Sequence, residues 1–210
     1  MVRPQKARVN DQVFASEPAL LSAIAADGQA LGFAAASEPR TGSLLQVLAA
    51  SKPGGRLLEL GTGTGVGTAW LLSGMDAAAR LDTVDSEPTV VAVARRHLGS
   101  DPRVRFHLAD GEVWLRNYKG PSFDLVFADS WPGKFSALAD ALTLLAPGGL
   151  YVIDDLLPQA NWPDGHGARI EPLLAHLEAL PGFSCVRLAW ASGLALVVRH
   201  AEQRNAADSR

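Results

Sequence analysis

The stretch "RLLELGTGTGVGTAWLLSG", Arg56 to Gly74, decides the fold. An apolar, strand-like run ends at Leu60, glycines stand at positions 61, 63, 65 and 67, and a helical pattern opens at once. Glycine at a strand-to-helix turn lets the backbone curl tightly and approach a ligand closely. The dinucleotide spacing GxGxxG is not met: counted from Gly61 the sixth position is Val66, and from Gly63 it is Thr68. A nicotinamide cofactor is disfavoured on that count.

Outward from this stretch, short β-like runs alternate with helical ones. The strand candidates are "RLLEL", "RLDTVD", "VRFHLA", "FDLVFAD" and "GLYVIDD", and helical segments such as "PTVVAVARRHL", "GEVWLRNY" and "KFSALADALTLL" separate them. Five strands joined by helices predict an α/β fold, a Rossmann-like parallel sheet with helices on both faces. The C-terminal part differs. After a helix over about 168–180, "FSCVRLAW" and "LALVVRH" are separated only by "ASG", too short for a crossover, so they form an antiparallel hairpin and bring the sheet to seven strands. Upstream, Ser16-Glu17-Pro18 offers a cap for a helix fading near Gly32, and a second helix is predicted from about Pro39 to Ala50. The expected organisation is a single domain over 1–210: N-terminal helices over 1–50 covering the site, an α/β core over 51–200 and a polar tail over 201–210.

Bulk properties exclude several classes. The 210 residues are 48% hydrophobic and 20% charged, with 22 acidic and 19 basic side chains and a net charge of -3. No basic block argues for nucleic acid as a partner. Neither a signal-peptide core nor a run long enough to span a bilayer is visible, and the lone Cys185 cannot form an internal disulfide, so the cytoplasm is the expected location.

Acids recur where the predicted strands end: Glu59, Asp85, Asp110, Asp129, and the adjacent pair Asp154 and Asp155. Any one of these reads equally as a helix cap. Five strands in a row point instead to the ligand-binding edge of an open α/β sheet, outside the carboxyl ends of its strands. Two adjacent carboxylates also repel unless a cation or strong donors lie nearby.

An acid, one intervening residue, then Gly61, Gly63 and Gly65 resembles the first motif of class I S-adenosylmethionine-dependent methyltransferases. The resemblance implies S-adenosylmethionine as cofactor, with the three glycines as backbone contacts, Glu59 near its methionine part, Asp85 and Ser86 at the ribose, and Asp110 with Gly111 near the adenine. The added hairpin is also that family's sheet pattern. At a finer level "SEPRTGSLLQVL", "FADSWPGKF" and "VIDDLL" resemble the cation-dependent O-methyltransferases, the catechol and caffeoyl-CoA group, over Ser37 to about Arg199. That likeness implies a divalent cation such as Mg²⁺ on Asp129, Asp154 and Asp155, a hydroxyl acceptor on a small molecule, Trp131 along the adenine edge and a homodimer.

The chain departs from this pattern in three places. Asp155 replaces the family's asparagine. The expected catalytic lysine falls on Pro132, leaving Lys134 either as its shifted replacement or as an exposed helix-start lysine. The acid that contacts the second hydroxyl in catechol-type enzymes aligns with Ala195. A metal-independent methyltransferase and a non-catalytic cofactor-binding protein stay open as alternatives. Trp162 and His166, in "QANWPDGHGA", read either as substrate contacts or as surface-loop residues. "ARRH", Ala94 to His97, reads as a solvated helix C-terminus.

Overall fold

The computed structural model describes residues 16–201. A seven-stranded sheet runs in the order β3-β2-β1-β4-β5-β7-β6. Its strands are β1 (Arg56–Leu60), β2 (Arg80–Asp85), β3 (Val104–Leu108), β4 (Phe123–Ala128), β5 (Leu145–Ile153), β6 (Phe183–Leu188) and β7 (Leu194–Arg199). The first five pair in parallel, and β7 lies antiparallel to both β5 and β6. The order in which strands are added reverses between β1 and β4, the point where an open sheet of this kind gathers ligands.

Among the described residues seven helices flank the sheet: α1 (Leu21–Ala30), α2 (Pro39–Ala50), α3 (Val66–Gly74), α4 (Pro88–Leu98), α5 (Gly111–Asn117), α6 (Leu138–Thr143) and α7 (His166–Glu178). The alternation along a strand divides the buried residues between two cores. Leu57, Leu125 and Phe127 pack with Ile24, Leu45 and Trp70 from α1, α2 and α3 on one face. Leu58, Val126 and Tyr151 pack with Leu115, Ala141 and Leu174 from α5, α6 and α7 on the other.

Three local expectations are revised. The first helix begins at Leu21 without a side-chain cap, because the Pro18 carbonyl accepts the Leu21 amide in a preceding turn. The helix predicted from Lys134 is confined to Leu138–Thr143. Upstream of it the amides of Lys134, Phe135 and Ser136 all donate to the Trp131 carbonyl, and Ala137 takes a left-handed φ of 51°, so the chain closes a compact turn instead of winding on. β5 starts at Leu145 rather than Gly149 and absorbs Pro147-Gly148-Gly149 as a shift in register against β4.

The N-terminal helices sit over the glycine loop. Asp27 of α1 accepts hydrogen bonds from Arg96 (2.9 Å) and His97 (2.8 Å) of α4, so "ARRH" is a tether as well as a helix end. This fastening brings Gly28 against Thr64 and Phe33 against Gly63.

Candidate active site

Between β1 and α3 the loop passes through Gly61, Gly63 and Gly65 with φ of 103°, 50° and 94°, backbone that side-chain-bearing residues seldom adopt. A Cβ at Gly61 would lie 2.9 Å from the Asp129 carbonyl, so the loop also packs directly on the end of β4. The Gly63 amide donates to Asp85 at the end of β2 over 2.9 Å, which fixes the loop against the neighbouring strand.

Glu59 lies beneath this loop, fully buried. Its Oε2 accepts hydrogen bonds from Thr68 (2.5 Å) and Thr83 (2.6 Å), and Thr83 shares a further one with Thr62 of the loop. Its Oε1 has no hydrogen-bond partner among the described residues. Burial pushes the carboxyl up to about 7, against the pull of the two threonines.

A cleft of about 200 Å³ opens over the loop, lined by Phe33, Ser37, Gly61, Gly63, Asp85 and Asp129 among others. Beside it a slot of about 70 Å³ lies between Val84, Ser86, Gly111, Ser130 and Pro132. Asp110, next to Gly111, does not line this slot and is the N-cap of α5, its carboxylate accepting the Val113 amide over 2.9 Å. Trp131 lines neither space. Its ring meets Phe135 edge-on and carries the Arg169 guanidinium at 4.8 Å.

A third cleft, of about 160 Å³, is lined by Asp129, Asp154, Asp155, Gln159, Asn161 and Ser192, together with 34–38. Parallel pairing of β4 and β5 sets the first two acids side by side. Asp129 accepts a hydrogen bond from Ser37 (3.0 Å), and Asp154 accepts from the Ser192 hydroxyl and from the Asp155 amide (2.7 Å). Burial and mutual repulsion raise the Asp129 carboxyl well above the usual range. Asp154 is pushed to about 6, chiefly by burial.

Lys134 is 2% exposed, not the exposed helix-start lysine that was one of its two readings. Its ammonium pulls both carboxyls back toward ionisation. The turn that turns it inward depends on Gly133, whose φ is 83° and whose carbonyl accepts the buried Tyr151 hydroxyl at 2.7 Å.

Asp155 is held differently, in a left-handed conformation (φ 60°) with its carbonyl accepting His166 Nε2 over 3.1 Å. His166 is buried, stacked on Trp162 at 4.4 Å, and burial holds its pKa down. His166 thus holds the Asp155 backbone, and Trp162 packs on His166. No three acidic, histidine or cysteine side chains converge as a metal-ligand set among the described residues. Asp129 and Asp154 could present two hard oxygen donors, a number compatible with Mg²⁺ when water and substrate complete its shell.

Ser37 and Ser192 were not singled out from the sequence. Each acts on an acid distant along the chain, 92 and 38 residues away, and only the docking of α2 and of the β6–β7 hairpin brings them there.

A seven-stranded sheet of this order, with a glycine loop after β1 and an acid ending β2, defines the class I S-adenosylmethionine-dependent methyltransferase fold. Comparison with known proteins agrees. The family model described as a methyltransferase domain matches residues 58–156. A protein named "Putative O-methyltransferase" from Mycobacterium avium is 36% identical over 143 residues, covering 66% of this chain and 64% of its own. One of the same name from Mycolicibacterium smegmatis is 35% identical, covering 66% and 68%. The crystal structure of an O-methyltransferase from Bacillus cereus in complex with SAH superimposes with a TM-score of 0.71 at 25% identity, over 89% of this chain and 93% of that one. The chain belongs to this O-methyltransferase family. It spans about two thirds of the length of the curated relatives it matches, 64% for the first of them. No described helix is long and apolar enough to cross a membrane.

Proposed function

We propose that the protein transfers the methyl group of S-adenosylmethionine to a hydroxyl of a small, polar molecule. One observation carries this reading: the cleft over the glycine loop and the acid-lined cleft share a wall made by Ala35, Ala36, Ser37 and Asp129. A methyl donor in the first space and an acceptor in the second would meet there, and alignment of the acceptor oxygen behind the methyl carbon supplies the proximity contribution to rate.

The cofactor's ribose hydroxyls would bond to Asp85 beside Ser86, its adenine would enter the slot at Gly111, near Asp110, and its methionine part would follow Gly61, Gly63 and Gly65. Glu59 acts there as a positioning residue beneath the loop. Trp131, its ring under the Arg169 guanidinium, would border the adenine only after that ring turns. S-adenosylmethionine held there would supply the methyl group, its carbon–sulfur bond breaking as the acceptor oxygen bonds to carbon, and the hydroxyl proton would pass to a carboxylate. Asp129 and Asp154 suit that role, because their raised pKa values give them basicity that an exposed aspartate lacks. Lys134 balances the charge of the pair through those carboxylates.

A second reading keeps the divalent cation implied by the likeness to cation-dependent enzymes. It is supported by two adjacent, partly repelling carboxylates at the acceptor cleft. A cation there would lower the pKa of a bound hydroxyl.

The test is methyl transfer from isotope-labelled S-adenosylmethionine to a panel of small hydroxylated acceptors, with and without EDTA. The proposal expects labelled methyl ether. Product insensitive to EDTA favours the Lys134-balanced site, and product abolished by EDTA and restored by Mg²⁺ favours the cation. Cofactor bound without product across the panel would point to a non-catalytic binder.

A further inference from the structure

The amino-terminal edge of the sheet, opposite the site described above, carries a row of arginines. Arg56 and Arg80 are register partners where β1 and β2 begin. Arg103 continues the row, its carbonyl accepting the Leu81 amide at 2.8 Å, and Arg105 pairs in register with Asp82 one step further along. Neighbouring strands lie about 4.8 Å apart, and like charges facing one another at that spacing oppose strand pairing. Such an arrangement calls for compensating negative charge.

The described residues compensate only half of it. Arg56 bonds to Asp82 (3.1 Å), which also holds His107 (2.8 Å), and Arg103 makes a two-pronged pair with Asp101. Arg80 donates only to the carbonyls of Ala77, Ala78 and Ala79, and Arg105 has no acidic partner among the described residues. The Arg56 Nε–H is buried with no acceptor among the described residues. A buried donor without an acceptor costs free energy unless something else occupies its direction.

These four arginines, with Leu81, Pro102, Val104 and the one carboxylate Asp82, itself engaged by Arg56 and His107, line a cleft of about 280 Å³. Tyr118, which follows the seven-residue α5, reaches its edge, its hydroxyl accepting from the Arg56 guanidinium at 3.2 Å. We propose that this cleft binds a phosphate group, carried by a phosphate monoester of a small metabolite. Guanidinium groups match tetrahedral oxyanions with paired N–H bonds. The cleft is larger than one phosphate needs, and its apolar residues offer room for a small organic body.

The test titrates inorganic phosphate, glycerol 3-phosphate and a single-stranded oligonucleotide into the full chain by calorimetry, at low chloride. Wild type is compared with Arg80→Ser and Arg105→Ser, and S-adenosylmethionine binding is measured on each protein. The proposal expects one-to-one phosphate binding, weakened about tenfold or more in either variant, as loss of one charge-assisted bond predicts, with cofactor binding unchanged. Arg105→Ser removes no side-chain hydrogen bond among the described residues, so it reports on the ligand rather than on stability. Tighter binding of glycerol 3-phosphate than of inorganic phosphate supports the monoester as the source, and equal affinity assigns the site to the free oxyanion. No saturable binding of either small phosphate up to about 10 mM, affinities unchanged by both substitutions, or binding of the oligonucleotide alone would overturn it.

Discussion

Replacing Glu59 by glutamine is expected to stabilise the protein, and by an amount that depends on pH. The carboxyl is wholly enclosed, with both threonine hydroxyls donating to Oε2 and nothing donating to Oε1. Its pKa is about 7 in the folded chain against 4.5 for the free side chain. Between those values the folded state holds a proton that the unfolded chain has released, so stability falls as pH rises through this window and the loss is complete above it. A difference of 2.5 units corresponds to about 3 kcal/mol. Glutamine is nearly the same shape, its carbonyl can accept both threonine hydroxyls, and it never ionises. The variant should therefore be about 3 kcal/mol more stable than wild type at pH 8, and within about 1 kcal/mol of it at pH 5. Urea unfolding at the two pH values measures both differences. A variant that is no more stable at pH 8, or one whose advantage is the same at pH 5, would refute the reasoning.

Other perturbations have equally definite outcomes. Lys134→Met removes the buried ammonium that offsets Asp129 and Asp154, and should cost about 3–5 kcal/mol at pH 8. The cost should shrink toward pH 5, where Asp154 takes up its proton, and an equal loss at both values in urea melts would contradict the assigned role. Gly133→Ala forces a Cβ to 2.8 Å from the Tyr151 hydroxyl at a φ of 83°, so thermal melting should reveal a loss of about 1–3 kcal/mol. In methyl-transfer assays kcat/KM should rise with pH through about 6 as Asp154 gives up its proton, and Asp154→Asn should abolish that limb. A profile unchanged by the substitution would remove Asp154 from the proton path.

The strand–loop–helix unit from Arg56 to Gly74 was legible because its signals are local: an apolar run, then glycines where the backbone needs positive φ. The parallel sheet and the closing hairpin followed from connection lengths alone. Lys134 was harder to read. Its run looks helical, yet the turn closed on the Trp131 carbonyl and anchored by Tyr151 turns it inward, and that anchor lies on another strand. Arg96 and His97 looked like a solvated helix end, but their partner Asp27 is about 70 residues away. The arginine row was invisible for the same reason, since four residues scattered over three strand starts become one surface only when the register is known.

The most direct test of the account is calorimetric titration of S-adenosylmethionine into the wild-type chain and into Asp85→Ala. The account predicts one-to-one binding, weakened about tenfold or more when the carboxylate that anchors the loop and would hold the ribose is removed. Absence of binding, or an affinity untouched by the substitution, would contradict a cofactor seated over Gly61, Gly63 and Gly65.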